Sequence, residues 1–174
     1  DWHTPSIPEI LPNVIRLTQH CPERTVFTQF TTPERAEDAR GHWQNYFRRW
    51  QSVTTSVMDP AIIDVIDELK VFVPPARIAN KPTYSAFESP EFCAIIDELE
   101  CSTVICTGVE TDVCVLGTVM TAMDRGYRTI VVSDACHGSN PESHAATLAH
   151  TYRRFEDQIE IGTTDEVLAQ WGAA

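Results

Sequence analysis

Positive charge is scarce in this chain. Against 25 Asp and Glu stand 13 Lys and Arg, and the formal net charge is −12. Such a surface repels phosphate backbones and anionic lipid heads, which argues against nucleic acid or a membrane surface as a partner. No apolar run approaches the roughly 18 residues that a membrane span requires. No signal-peptide pattern is visible. The six cysteines form no C-x-x-C and the six histidines no H-x-x-x-H, so a structural zinc framework is not expected. No linker, low-complexity tract or internal repeat interrupts the sequence.

What remains is one ordinary globular composition. The 174 residues are 43% apolar and 22% charged, enough for a single domain over 1–174 with a real core. Cys21, Cys93, Cys101, Cys106, Cys114 and Cys136 are scattered through apolar segments, which reads as reduced thiols of a cytoplasmic protein. A helix is expected over 8–20. "RTVFTQF" (24–30), "ARIANK" (76–81), "STVICTG" (102–108), "RTIVVSD" (128–134) and "IEIG" (159–162) read as strands. The near-continuous apolar runs belong to a sheet covered on both faces. Between them, "DPAIIDVIDEL" predicts a helix capped by Asp59, with Ile62, Ile63, Ile66 and Leu69 facing the core. "SPEFCAIIDEL" predicts a second, capped by Ser89. Asn140 opens a third, and Thr164 the last. Residues 33–58 read as an irregular or partly helical insertion. The alternation defines an α/β fold: a three-layer, doubly wound, mostly parallel sheet with helices on both faces.

Ligands of such sheets gather beyond the carboxyl ends of the strands. Lys81 and the stretch "GVETDVCVLGT" (108–118) both lie there. With Thr111 as N-cap and a helix from about Asp112, Cys114 falls in the first turn, where backbone N–H groups and the helix dipole favour a thiolate. The local pattern leaves two readings open: a nucleophile, or a thiol packed against Val115 and the sheet.

"NKPTYSAF" (80–87) and "TVICTGVETDVCVLGTVMTAMDRGYRTIVVSDAC" (103–136) closely resemble the isochorismatase-like cysteine hydrolases, which include nicotinamidases and N-carbamoylsarcosine amidases. The resemblance spans roughly residues 8–171. It implies an Asp–Lys–Cys triad in which Cys114 is the nucleophile and Lys81 supports its ionisation. It implies a cis bond at Val109–Glu110, and an oxyanion hole from the N–H groups of Glu110 and Cys114. The reaction implied is hydrolysis of a small amide or carbamoyl substrate through a thioester, with no cofactor, in a homodimer or homotetramer.

The family's first strand, which is central and ends in the triad Asp, has no counterpart here. That Asp is therefore expected upstream of residue 1. The rival explanation is an inactive relative that binds a small ligand or a protein partner. A third makes Cys114 a redox sensor. Asp1 and His3 imitate a metal-binding Asp-x-His but fall on the wrong side of the first helix, so no metal is assigned. Trp43, Phe47, Tyr84 and Phe87 are candidate substrate contacts, with Tyr46 and Trp50 in the same cluster. A hydrophobic cover over the core or an oligomer contact explains Trp43, Tyr46, Phe47 and Trp50 as well. Glu110 is a candidate to project into the pocket and disfavour anions.

Overall fold

Apolar residues alternate along the buried strands, and two cores result. In the computed structural model, which describes residues 4–172, β3 (Thr103–Val109) pairs in parallel with β4 (Arg128–His137), and β4 with β5 (Ile159–Gly162). Val104, Cys106 and Val131 point into one core, and Ile105, Ile130 and Val132 into the other. This is the period of two that a strand imposes. The first core is closed by α4 (Pro90–Glu98) and α5 (Leu116–Asp124). The second is closed by α1 (Ile7–His20) and α7 (Thr164–Gln170). Helices therefore cover both faces of the parallel sheet.

A second parallel pair, β1 (Val26–Phe30) with β2 (Arg77–Lys81), packs against the first core through Val26 and Ala79. Around it lie α2 (Trp43–Arg49) and α3 (Asp67–Lys70). Between β1 and β3 lies a cleft of about 1030 Å³. Ile10, Val14 and Leu17 line it from α1, and Phe92 and Ile96 from α4. Among the described residues β1 pairs only with β2, and β3 only with β4.

The helix starts follow side-chain chemistry. Ser89 Oγ accepts the Phe92 N–H, and Asn140 Oδ1 accepts those of Glu142 and Ser143 at the start of α6 (Pro141–Ala146). One expected helix does not form. Asp59 does accept the Ala61 N–H, but the chain then makes only a 3-10 turn over Pro60–Ile63 before α3. Ile62 is 70% and Ile66 37% exposed, and of the expected core face only Leu69 packs against a core. Asp64 accounts for the break. It accepts the Val65 N–H and pairs with Gln29 and Lys70, so it serves a turn and not a helix. Such local bonding competes with helical hydrogen bonds.

These placements separate two apolar positions that look alike in sequence. Phe92→Ala should cost about 3–5 kcal/mol, whereas Ile62→Ser should stay within about 0.5 kcal/mol. Urea titration of the two variants measures both.

Candidate active site

Two loops from different sheets meet at one rim. The end of β2 is pinned because the Thr31 N–H donates to the Lys81 carbonyl. The following segment docks on α5: the Ala86 N–H donates to Thr118 Oγ1, and Ser85 Oγ to Thr121 Oγ1, each at 3.0 Å. Gly117 permits this approach, since a Cβ there would sit 3.1 Å from that of Tyr84. The Thr118 hydroxyl in turn donates to the Cys114 carbonyl at 2.9 Å.

The result is a thiol facing a buried ammonium. Lys81 is only 3% exposed. Its Nζ donates to Cys114 Sγ at 3.3 Å and to the Thr83 carbonyl at 3.0 Å, and lies 5.0 Å from the centre of the Phe30 ring. Burial lowers the lysine's pKa from its ordinary value, while the Cys114 sulfur pulls the other way. Both residues border the cleft between β1 and β3. No carboxylate bonds to the Lys81 amine among the described residues.

The turn that carries Cys114 differs from the expected helix start. The Val109–Glu110 bond is cis. Residues Thr111–Val115 then form a wide π-turn, with the Val115 N–H bonded to the Glu110 carbonyl. Thr111 does not cap it. Its side chain is fully buried, and Oγ1 lies 2.8 Å from His144 Nδ1. Burial of a hydroxyl demands a partner, and His144 supplies one where a free N-cap would have used the backbone. The Glu110 carboxylate is also held away from its expected role. Its Oε1 accepts from Thr4 Oγ1 and the Ser139 N–H.

Aromatic rings gather near the thiol. Trp43 stands 4.9 Å from Tyr84 and 5.2 Å from Tyr46, centre to centre. Burial first, then the neighbouring Tyr84, Cys114 and Glu110, push the Tyr46 phenol up to about 12. Tyr84 is raised by burial and by Cys114. Both hydroxyls are thus within electrostatic reach of the sulfur. Phe47 and Phe87 are corrected: they are 2% and 3% exposed and belong to cores. Phe87 sits against Phe92 and Tyr127, with Arg125 over its face. Tyr46 and Phe30 stand at the site instead. The clustering of aromatics at 43–50 signalled the first; nothing in the sequence pattern signalled the second. Asp1 and His3 lie outside the described residues.

A parallel α/β domain with a thiol and an ammonium at one strand-end rim is therefore the class that fold and site define. The isochorismatase domain matches residues 1–163, and the chain belongs to that family. It is 25% identical over 168 residues to a probable inactive nicotinamidase of Arabidopsis thaliana, covering 93% of this chain and 81% of that one. It is 33% identical over 92 residues to the ureidoacrylate amidohydrolase RutB of Methylobacterium radiotolerans, a match covering 52% of this chain and 36% of the enzyme. Among solved structures, a cysteine hydrolase from Pseudomonas syringae superposes with a TM-score of 0.79 at 20% identity, covering 96% of this chain and 82% of that one. The N-carbamoylsarcosine amidase of Thermoplasma acidophilum gives 0.71 at 20% identity, covering 94% and 87%.

All six cysteines are free, but they are not equivalent. Burial pushes Cys106 up to about 12 and raises Cys136 as well. Iodoacetamide on the native protein should therefore label Cys114 while sparing Cys106 and Cys136 until denaturant is added. Peptide mass mapping reads the order.

Proposed function

We propose that this protein is a cysteine-dependent hydrolase of a small amide or carbamoyl compound. The observation that carries the reading is the 3.3 Å contact between the buried Lys81 amine and Cys114 Sγ. A lone buried ammonium is costly, and a thiolate beside it offsets that cost. The thiolate attacks the substrate carbonyl carbon, forming a C–S bond as the carbonyl electrons move onto oxygen. The N–H groups of Glu110 and Cys114 receive that oxyanion. Collapse expels the amine with a proton, and water then cleaves the thioester to release the acid and restore the sulfur.

The proton carrier is read as an Asp upstream of residue 1, at the end of a strand seated in the cleft between β1 and β3. Three features support this. Each of those strands has a strand partner on one side only, among the described residues. The cleft has apolar walls from α1 and α4. Lys81 stands at its carboxyl-end rim with no carboxylate bonded among the described residues. A second reading, a relative that binds a ligand without turnover, draws on the same lack of a carboxylate at Lys81 among the described residues and on the inactive Arabidopsis relative. Expressing the chain with its upstream coding sequence decides between them. A strand ending in Asp, whose Asn variant loses activity, favours the hydrolase; no such residue favours the binder.

Tyr46, Tyr84 and Trp43 suit a flat, small substrate at the thiol. The free thiols fit a reducing compartment, the cytoplasm. Exposed Val57 and Val71, at 67% and 74%, favour assembly into a homodimer or homotetramer; sedimentation as a monomer would contradict this.

Activity is tested with a panel of primary amides, carbamoyl and ureido compounds scored for ammonia release. Cys114→Ala should fall to background. Lys81→Met should lose about 100-fold or more, the scale of one preorganised charge-stabilising donor. Full turnover by Cys114→Ala would sink covalent catalysis.

A further inference from the structure

Behind the Cys114 turn, away from Lys81, lies a polar assembly that the proposed chemistry does not use. We propose that His144 is a positioning residue for the Cys114 turn, acting through Thr111, and that its protonation loosens that turn in acid. This rests on the reading of Cys114 as the reactive thiol.

Thr111 opens the turn and is held at two points. Its hydroxyl lies 2.8 Å from His144 Nδ1, and its carbonyl accepts the Tyr152 hydroxyl at 2.9 Å. Both Thr111 and Tyr152 are 0% exposed. Neither His144 nor Tyr152 is bonded to the sulfur; they act on the backbone that carries it. With its proton on Nε2, His144 accepts the Thr111 O–H. An imidazolium carries protons on both nitrogens and can only donate. The Thr111 proton then loses its acceptor at a fully buried position, which costs the desolvation of that group.

A second contact works in the same direction. The His144 ring lies parallel to that of His137, 4.4 Å away at 10°. His137 Nδ1 lies 2.8 Å from the Gly138 carbonyl oxygen and 2.9 Å from the Gly138 backbone nitrogen. Two stacked imidazoles at this distance do not both carry charge without strong repulsion. The ionisable groups around His144 divide. Asp112 on the turn favours its proton, and both Asp112 and Glu110 adjoin Gly138. His137 on β4 opposes it, and Arg153 borders the same surface hollow as His144. Glu142 lies on its own helix, α6. Burial, then His137, lower the His144 pKa from 6.5 despite Asp112. The unfolded chain therefore binds this proton first as pH falls. Stability contributed by neutral His144 is present above about pH 6.5 and is lost as pH falls through the lower folded value.

The test follows the rate of Cys114 alkylation by iodoacetamide from about pH 8 to about pH 5, in wild type, His144→Asn and His144→Phe. Asn keeps an acceptor oxygen near the Nδ1 position but does not titrate; Phe keeps the ring and loses the acceptor. The ratio of wild-type to His144→Asn rates should be constant above about pH 7 and fall at least about threefold by pH 5, over the range in which histidine titrates. His144→Phe should already be slower than wild type at pH 8. A ratio flat across the range overturns the proposal, and it does so even if the Phe variant fails to fold. Alkylation needs no substrate, so failure of the amide panel would leave this result standing.

Discussion

A single buried ammonium constrains this molecule more than any other group. Taking a lysine out of water costs several kcal/mol unless acceptors and an opposite charge meet it. Here the Thr83 carbonyl, the Cys114 sulfur and the face of Phe30 meet it. Those three groups come from the loop after β2, the turn after β3 and the end of β1. The contact therefore requires both parallel pairs to run toward the same rim. It also requires α5 to accept the 84–86 segment closely, which Gly117 allows. Replacing Lys81 would disturb more than chemistry, because it ties the β1–β2 pair to the three-stranded sheet.

The same geometry explains why the cleft opens where it does. Between β1 and β3 both flanking edges face the cavity, and both helical layers cover it. Among the described residues β1 and β3 each pair on one side only, and peptide groups at such edges need partners. The strand proposed for the triad Asp would be seated there, with its end beside Lys81. The fold and the proposed triad thus make one demand on one place, and the demand is geometric before it is catalytic.

Much of this was legible in residue pattern because the relevant signals are local. Ser89 and Asn140 announce helix starts through side chains that reach backbone two or three residues on. The strands announce themselves by β-branched runs, and parallel topology puts their carboxyl ends, hence Lys81 and Cys114, on one rim. What failed to read was set at long range. Residues 59–69 carry apolar spacing suited to a helix, but Asp64 spends its carboxylate on Gln29 and Lys70, and no core lies opposite Ile62. Phe47 and Tyr46 are neighbours in sequence, yet one is buried and the other stands near the thiol. Glu110 looks like a pocket residue until Thr4, 106 positions away, is placed on its carboxylate. No window of sequence contains those pairings.

Thr111 shows most clearly why local rules gave out at the reactive turn. A threonine before an apolar run is a sound helix cap when its hydroxyl is free to turn back on the chain. Here Tyr152 packs its ring in the core and sends its hydroxyl to the Thr111 carbonyl, while His144 takes the hydroxyl. With both polar groups committed outward, the backbone opens into a wide turn, a distortion often found at functional positions. The sulfur of Cys114 is thus placed by the core behind it as well as by the lysine in front of it. Rigidity at the thiol is borrowed from packing several elements away, which is why a residue that never touches the sulfur can still govern how it is presented.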